Sequence, residues 1–191
     1  MPCKSLEDLK KALIINDQIL EKAASQFGFG FDFTEFAEES QILNLVVNPF
    51  DKRHKNIWES LSPERCLAAS RVFSTHVHIG VEKPEVLKLL NFCDEKTITR
   101  LASIGDHSNG KRILAYRTMT QSKSIPPNFS TIDELLCYIQ KNGGERDVWD
   151  LVRYKPSTKT IEFRMFGATE NIEEVLNYVK VCLDLFQACT K

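Results

Sequence analysis

Two runs rich in apolar and β-branched residues, 149–154 and 160–166, flank the turn-forming Pro156-Ser157-Thr158. So short a connection joins antiparallel neighbours, because parallel strands need a crossover of a dozen or more residues. The hairpin therefore argues against a purely doubly wound βαβ sheet. Helical signals surround it. Ser5 caps an acidic first turn, and Leu6, Leu9, Leu13, Leu20, Ala24 and Phe27 recur at helical spacing up to a stop at Gly28. Ser62-Pro63 and Ser130-Thr131 open two further helices, the second stopping at Gly143-Gly144, and 84–102 reads as one or two more. A last helix starts at Asn171 with one apolar stripe, Ile172, Val175, Leu176, Val179, Leu183 and Phe186. Further strands are expected over 41–47, 71–81 and 112–119, with a weaker strand pattern at 29–33. These elements predict an α+β domain over 1–191, with a mainly antiparallel sheet and helices packed on one face.

Composition narrows the function. The chain has 191 residues, 42% hydrophobic and 27% charged, with a net charge of −1, as in an ordinary soluble globular protein. Nothing in that balance calls for nucleic acid or an anionic membrane. No run approaches the roughly 20 apolar residues that span a bilayer, and the N-terminus lacks a signal-peptide core; a cytoplasmic location is expected. The six cysteines include no Cys-x-x-Cys pair. Cys66, Cys93, Cys137 and Cys182 each sit in an apolar helical pattern, which reads as buried free thiols rather than disulfides or zinc ligands.

Chemistry concentrates in two strands. In Ser74-Thr75-His76-Val77-His78-Ile79-Gly80-Val81, the period of two puts Ser74, His76 and His78 on one face and Val77, Ile79 and Val81 on the other. Paired imidazoles can ligate a metal or donate to phosphate oxygens, or can be hydrogen-bonded into the sheet. Thr160-Ile161-Glu162-Phe163-Arg164-Met165-Phe166 repeats the design, with Glu162 and Arg164 sharing a face. The pair is either a cross-strand ion pair or a Mg²⁺ ligand beside a phosphoryl clamp. Lys111, Arg112 and Arg117 follow the loop Ser108-Asn109-Gly110, whose backbone N–H groups can approach an anion; the plainer reading is a solvated basic loop. Trp149-Asp150 either orients a substrate or packs the hairpin.

Taken in order, five segments resemble the carboxylate–amine ligase family related to type 2 glutamate–cysteine ligases. They are Val47-Asn48-Pro49-Phe50, Thr75 to Val81, Ala115-Tyr116-Arg117, Phe129 with the helix after it and Trp149-Asp150, and Thr160 to Arg164. The resemblance implies a glutamine-synthetase-like catalytic sheet and an ATP- and Mg²⁺-dependent ligase that activates a carboxylate as an acyl phosphate. It implies Glu162 and His78 as metal ligands and Arg164 and Arg117 as catalytic residues. His76, His78, Lys111 and Arg112 would contact the cofactor, and an amino acid would be the substrate. The chain lacks the family's N-terminal Glu-x-Glu strand, so a second polypeptide or another copy would complete the site, or the chain is a non-catalytic nucleotide- or amino-acid-binding module. A metal-dependent hydrolase is a third reading, weakened because no further ligand cluster accompanies the histidines.

Overall fold

A computed structural model of the chain describes residues 2–42, 46 and 50–190. Its elements run α1 (Leu6–Phe27), α2 (Glu39–Ile42), α3 (Lys52–Ser60), α4 (Pro63–Ser70), β1 (Ser74–Gly80), α5 (Lys83–Phe92), α6 (Glu95–Ile104), α7 (Lys111–Thr120), α8 (Ile132–Lys141), β2 (Val152–Lys155), β3 (Thr160–Gly167) and α9 (Ile172–Thr190). The three strands form one antiparallel sheet in the order β1-β3-β2. This is an α+β arrangement, and among the described residues no helix is long and apolar enough to cross a membrane.

The caps lie where side-chain chemistry puts them. Ser5, Ser62, Asp94 and Thr131 each accept a hydrogen bond from the backbone N–H three residues on, which satisfies one orphan donor of the helix start. The expected 84–102 stretch is two helices, because Asp94 caps a second one. Val77 and Ile79 of β1 join Ile161 and Phe163 of β3 in a core with Val86 and Leu89 of α5, Ile98 and Leu101 of α6, and Tyr178, Cys182 and Leu185 of α9. Burial of these side chains, each worth about 1.5–3 kcal/mol, fixes the sheet's apolar face against three helices.

Four expectations are corrected. Residues 112–119 are not a strand but lie in α7, whose buried residues Arg112, Tyr116 and Met119 follow helical spacing. Gly110 starts that helix without a side-chain cap, so the usual N-terminal signal is missing. Among the described residues, 29–33 pair with no strand; Phe31 contacts both Phe29 and Phe33, and all three remain exposed. Cys137 is exposed, whereas Cys66, Cys93 and Cys182 are buried free thiols, and burial pushes the Cys93 thiol up to about 12. Helices are not confined to one face, because Tyr116 of α7 covers Arg164 on the polar side. The strand expected over 41–47 lies mostly outside the described residues, with Gln41 and Ile42 in α2; Val47-Asn48-Pro49 lies outside them too.

Gly167 ends β3 where no side chain fits. A Cβ there would overlap Glu35 Oε2 and stand 2.7 Å from the Gly105 carbonyl oxygen. The Gly167 N–H also donates to that carbonyl at 2.9 Å, so the backbone cannot retreat. Gly167→Ala is expected to cost about 1–3 kcal/mol, the usual range for overpacking, read as a lower denaturation midpoint at unchanged m-value.

Candidate functional site

The antiparallel register brings the chemistry-bearing strand faces together. His78 of β1 and Arg153 of β2 both stand opposite Glu162 of the central strand β3. Between Thr75 and Val77 the register slips, because Thr75 faces Phe166 while Val77 faces Phe163. Two residues of β3, Arg164 and Met165, therefore stand opposite His76 alone, which is the signature of a β-bulge. The bulge gathers His76 and Arg164 beside Glu162.

Glu162 is the centre of this group and is 3% exposed. Its Oε2 accepts from Arg153 Nε at 2.7 Å. Its Oε1 lies 2.9 Å from His76 Nδ1, 3.7 Å from His78 Nε2 and 4.0 Å from Arg164 Nε. Burial by itself would raise the carboxyl's pKa, but hydrogen bonds from His76 and Arg153 and the charges of Arg153 and Arg164 outweigh it. The group is held well below the usual carboxylate range. Burial pushes His78 below its ordinary value against the pull of Glu162, and its Nδ1 lies 3.1 Å from Thr160 Oγ1. Arg153 is anchored again by its Nη1 on the Val148 carbonyl at 2.5 Å.

Arg164 is the unsatisfied member. It is 8% exposed, and its Nε and Nη1 are buried without a hydrogen-bond partner. Its guanidinium lies 5.8 Å from the Tyr116 ring centroid and 5.5 Å from that of Trp149, within cation–π range of both. Tyr116 is locked by its hydroxyl on the Trp149 carbonyl at 2.9 Å. Glu162 faces two guanidinium groups here, and the buried Asp150 carboxylate also lies within electrostatic reach of both, though it accepts no hydrogen bond from Arg164. Arg164 and His76 both line a cavity of about 1000 Å³ that runs toward α3 and α4, the upper end of the range for small-molecule sites.

The other predicted site residues lie elsewhere. Arg112 is fully buried; its Nη2 donates to the Met165 carbonyl, its Nη1 to Ser74 Oγ at 3.2 Å, and its Nε lies 3.8 Å from Glu35 Oε2. Those partners occupy it inside the fold. Lys111 is exposed and pairs with Glu38 at 2.9 Å. Arg117 is half-buried on α7 and does not line the cavity; it follows Tyr116 by one residue, about 100° around the helix. The Ser108-Asn109-Gly110 loop already holds an anion of its own. The Asp106 carboxylate accepts from Ser108 N at 3.0 Å, Ser108 Oγ at 2.7 Å and Gly110 N at 2.6 Å. Burial works to raise the Asp106 pKa, and these hydrogen bonds outweigh it. Asp150 accepts from Tyr138 Oη at 2.8 Å, which is a packing role for the Trp149-Asp150 pair on the Asp150 side.

Two members of the site were not singled out from the sequence. Arg153 was legible in principle, since counting outward from the Pro156 turn pairs it with Glu162. Tyr116 was not, because a strand reading of α7 cannot place it over β3.

The donors gathered here are poorly suited to a divalent cation. Among the described residues no group of three or more His, Cys, Asp or Glu side chains is arranged to hold a metal ion. Glu162 is the one carboxylate of the cluster, and Arg153 and His76 already engage both its oxygens. Mg²⁺ needs several oxygen ligands in a near-octahedral shell and is repelled by adjacent guanidinium groups. The residues do not fit a metal bound by Glu162 and His78 alone. Compared with known protein families, curated proteins and solved structures, the chain shows no match.

Proposed function

We propose that this chain recognises an anionic group, a carboxylate or a phosphoryl, at Arg164, as part of an ATP-dependent carboxylate–amine ligase of the glutamate–cysteine ligase kind. The observation that carries the reading is the Arg164 guanidinium, buried at the wall of a cavity with two nitrogens unpartnered. A desolvated cation without a hydrogen-bonding counterion is costly unless a ligand supplies one. Arg164 would orient that anion, His76 would stand beside it, and Glu162 would hold both in place. The order of segments that resembles the ligase family supplies the reaction class and a glutamine-synthetase-like sheet, and Glu162 takes part as a positioning carboxylate and not as a metal ligand. β1 is an edge of the sheet, where a strand from a second polypeptide or another copy could add ligands.

A second reading, a non-catalytic nucleotide- or amino-acid-binding module, is favoured by one observation. Glu162 already satisfies Arg153 and His76, as a structural carboxylate does.

Thermal unfolding with Mg·ATP, with glutamate and with both, using EDTA as control, tests the proposal. A ligand at about 100 times its Kd adds roughly 2.7 kcal/mol, a rise of roughly 5–10 °C for a chain of this size. The rise is expected to disappear in Arg164→Gln. A glutamate response without a nucleotide response selects the binding module, and no response to either ligand sinks both readings.

A further inference from the structure

The cavity's walls are mostly apolar, although its floor is charged. Ile57, Trp58, Leu61, Tyr116, Met119 and Trp149 line it together with Arg164. Most other cationic side chains in the lining are engaged elsewhere. Arg53 pairs with Asp147 at 3.1 Å, His54 with Asp51 at 2.5 Å, and Arg65 gives its Nε to the Met119 carbonyl at 2.7 Å. The cavity thus offers one buried, hydrogen-bond-hungry guanidinium and a broad apolar surface around it. A dicarboxylate's second charge would have to draw Arg53 from Asp147 or Arg65 from the Met119 carbonyl, or else lie against apolar walls at the cost of desolvation. An apolar group would gain from the same surface.

Resting on the reading of Arg164 as an anion anchor, we propose that the ligand of this cavity is a carboxylate carrying an apolar, ring-sized group. Its carboxylate meets Arg164, and its ring lies among Trp58, Leu61, Met119 and Trp149. The volume accommodates such a molecule with room for a second small reactant. Selectivity then comes from apolar burial on one side and a single charge-assisted contact on the other.

The chain carries two tryptophans, and both line this cavity, as Trp58 and Trp149. Intrinsic fluorescence therefore reports its occupancy directly. The titration uses the full chain with 3-phenylpropionate, its neutral amide, glutamate and inorganic phosphate. The expected result is a saturable change with 3-phenylpropionate at a concentration at least tenfold below that of the other three. Arg164→Gln should weaken the acid at least tenfold and leave the amide unchanged. The amide comparison on the unmodified protein keeps the test valid if that variant fails to fold. Glutamate or phosphate binding as tightly as the aryl acid overturns the apolar specificity and leaves the anion site standing. An amide as tight as the acid shows that Arg164 anchors nothing, and silence from all four overturns the specificity and the anion site together.

Discussion

Glu162→Gln is expected to destabilise the fold by about 3–5 kcal/mol at neutral pH, because removing one partner of a buried ion pair strands the other. Arg153 is itself buried and gives its Nε to this carboxylate. A neutral amide can accept that hydrogen bond but cannot balance the charges of Arg153 and Arg164. The loss corresponds to a fall in Tm of roughly 6–20 °C. Its pH dependence has a definite sign. The folded-state pKa of Glu162 is depressed, so the unfolded chain binds the proton more readily. The carboxylate's contribution is complete above the ordinary Glu value of about 4.3 and fades as the pH falls below it. The gap between variant and wild type should therefore narrow in acid. Chemical denaturation across pH 3 to 7 measures it. A Gln variant of full stability that has lost metal-dependent nucleotide binding would identify Glu162 as a metal ligand instead.

Arg112→Met is expected to cost a similar 3–5 kcal/mol, for a related reason in a different place. Arg112 is buried with Glu35, the Met165 carbonyl and Ser74, and Glu35 is held in turn by the His107 N–H at 2.9 Å. Losing the guanidinium removes the one cation that pairs with the buried Glu35 Oε2 among the described residues. Adding Glu35→Gln to Arg112→Met should recover a good part of the loss, since the charge left behind is then gone. Equilibrium unfolding of the two single variants and the double variant forms the cycle. A contact with cofactor phosphate predicts the opposite pattern: normal stability, weakened anion binding and no rescue by Glu35→Gln.

The three buried arginines thus differ in how far the fold satisfies them. Arg153 and Arg112 are matched by buried carboxylates and hold strands, the 35–38 segment and α7 together. Arg164 shares its nearest carboxylate, at 4.0 Å, with Arg153 and keeps two nitrogens free of hydrogen bonds. Sequence position does not distinguish the three. What distinguishes them is how many acceptors the fold brings to each.

By itself the sequence determined whatever depends on short-range geometry. The hairpin about Pro156, the caps at Ser5, Ser62 and Thr131, and the strand alternation that puts His76 on the face of His78 and Glu162 on that of Arg164 all follow from local sterics and hydrogen bonding. The helix 112–119 did not, because Gly110 supplies no cap and a buried arginine replaces an apolar residue in its stripe. Only the tertiary structure decided that Arg112 points inward and that the Tyr116 and Trp149 rings come within cation–π range of Arg164. Those outcomes depend on which acceptors and rings arrive from distant segments. A charged side chain's role is set by that company, and its own position in the chain carries no record of it.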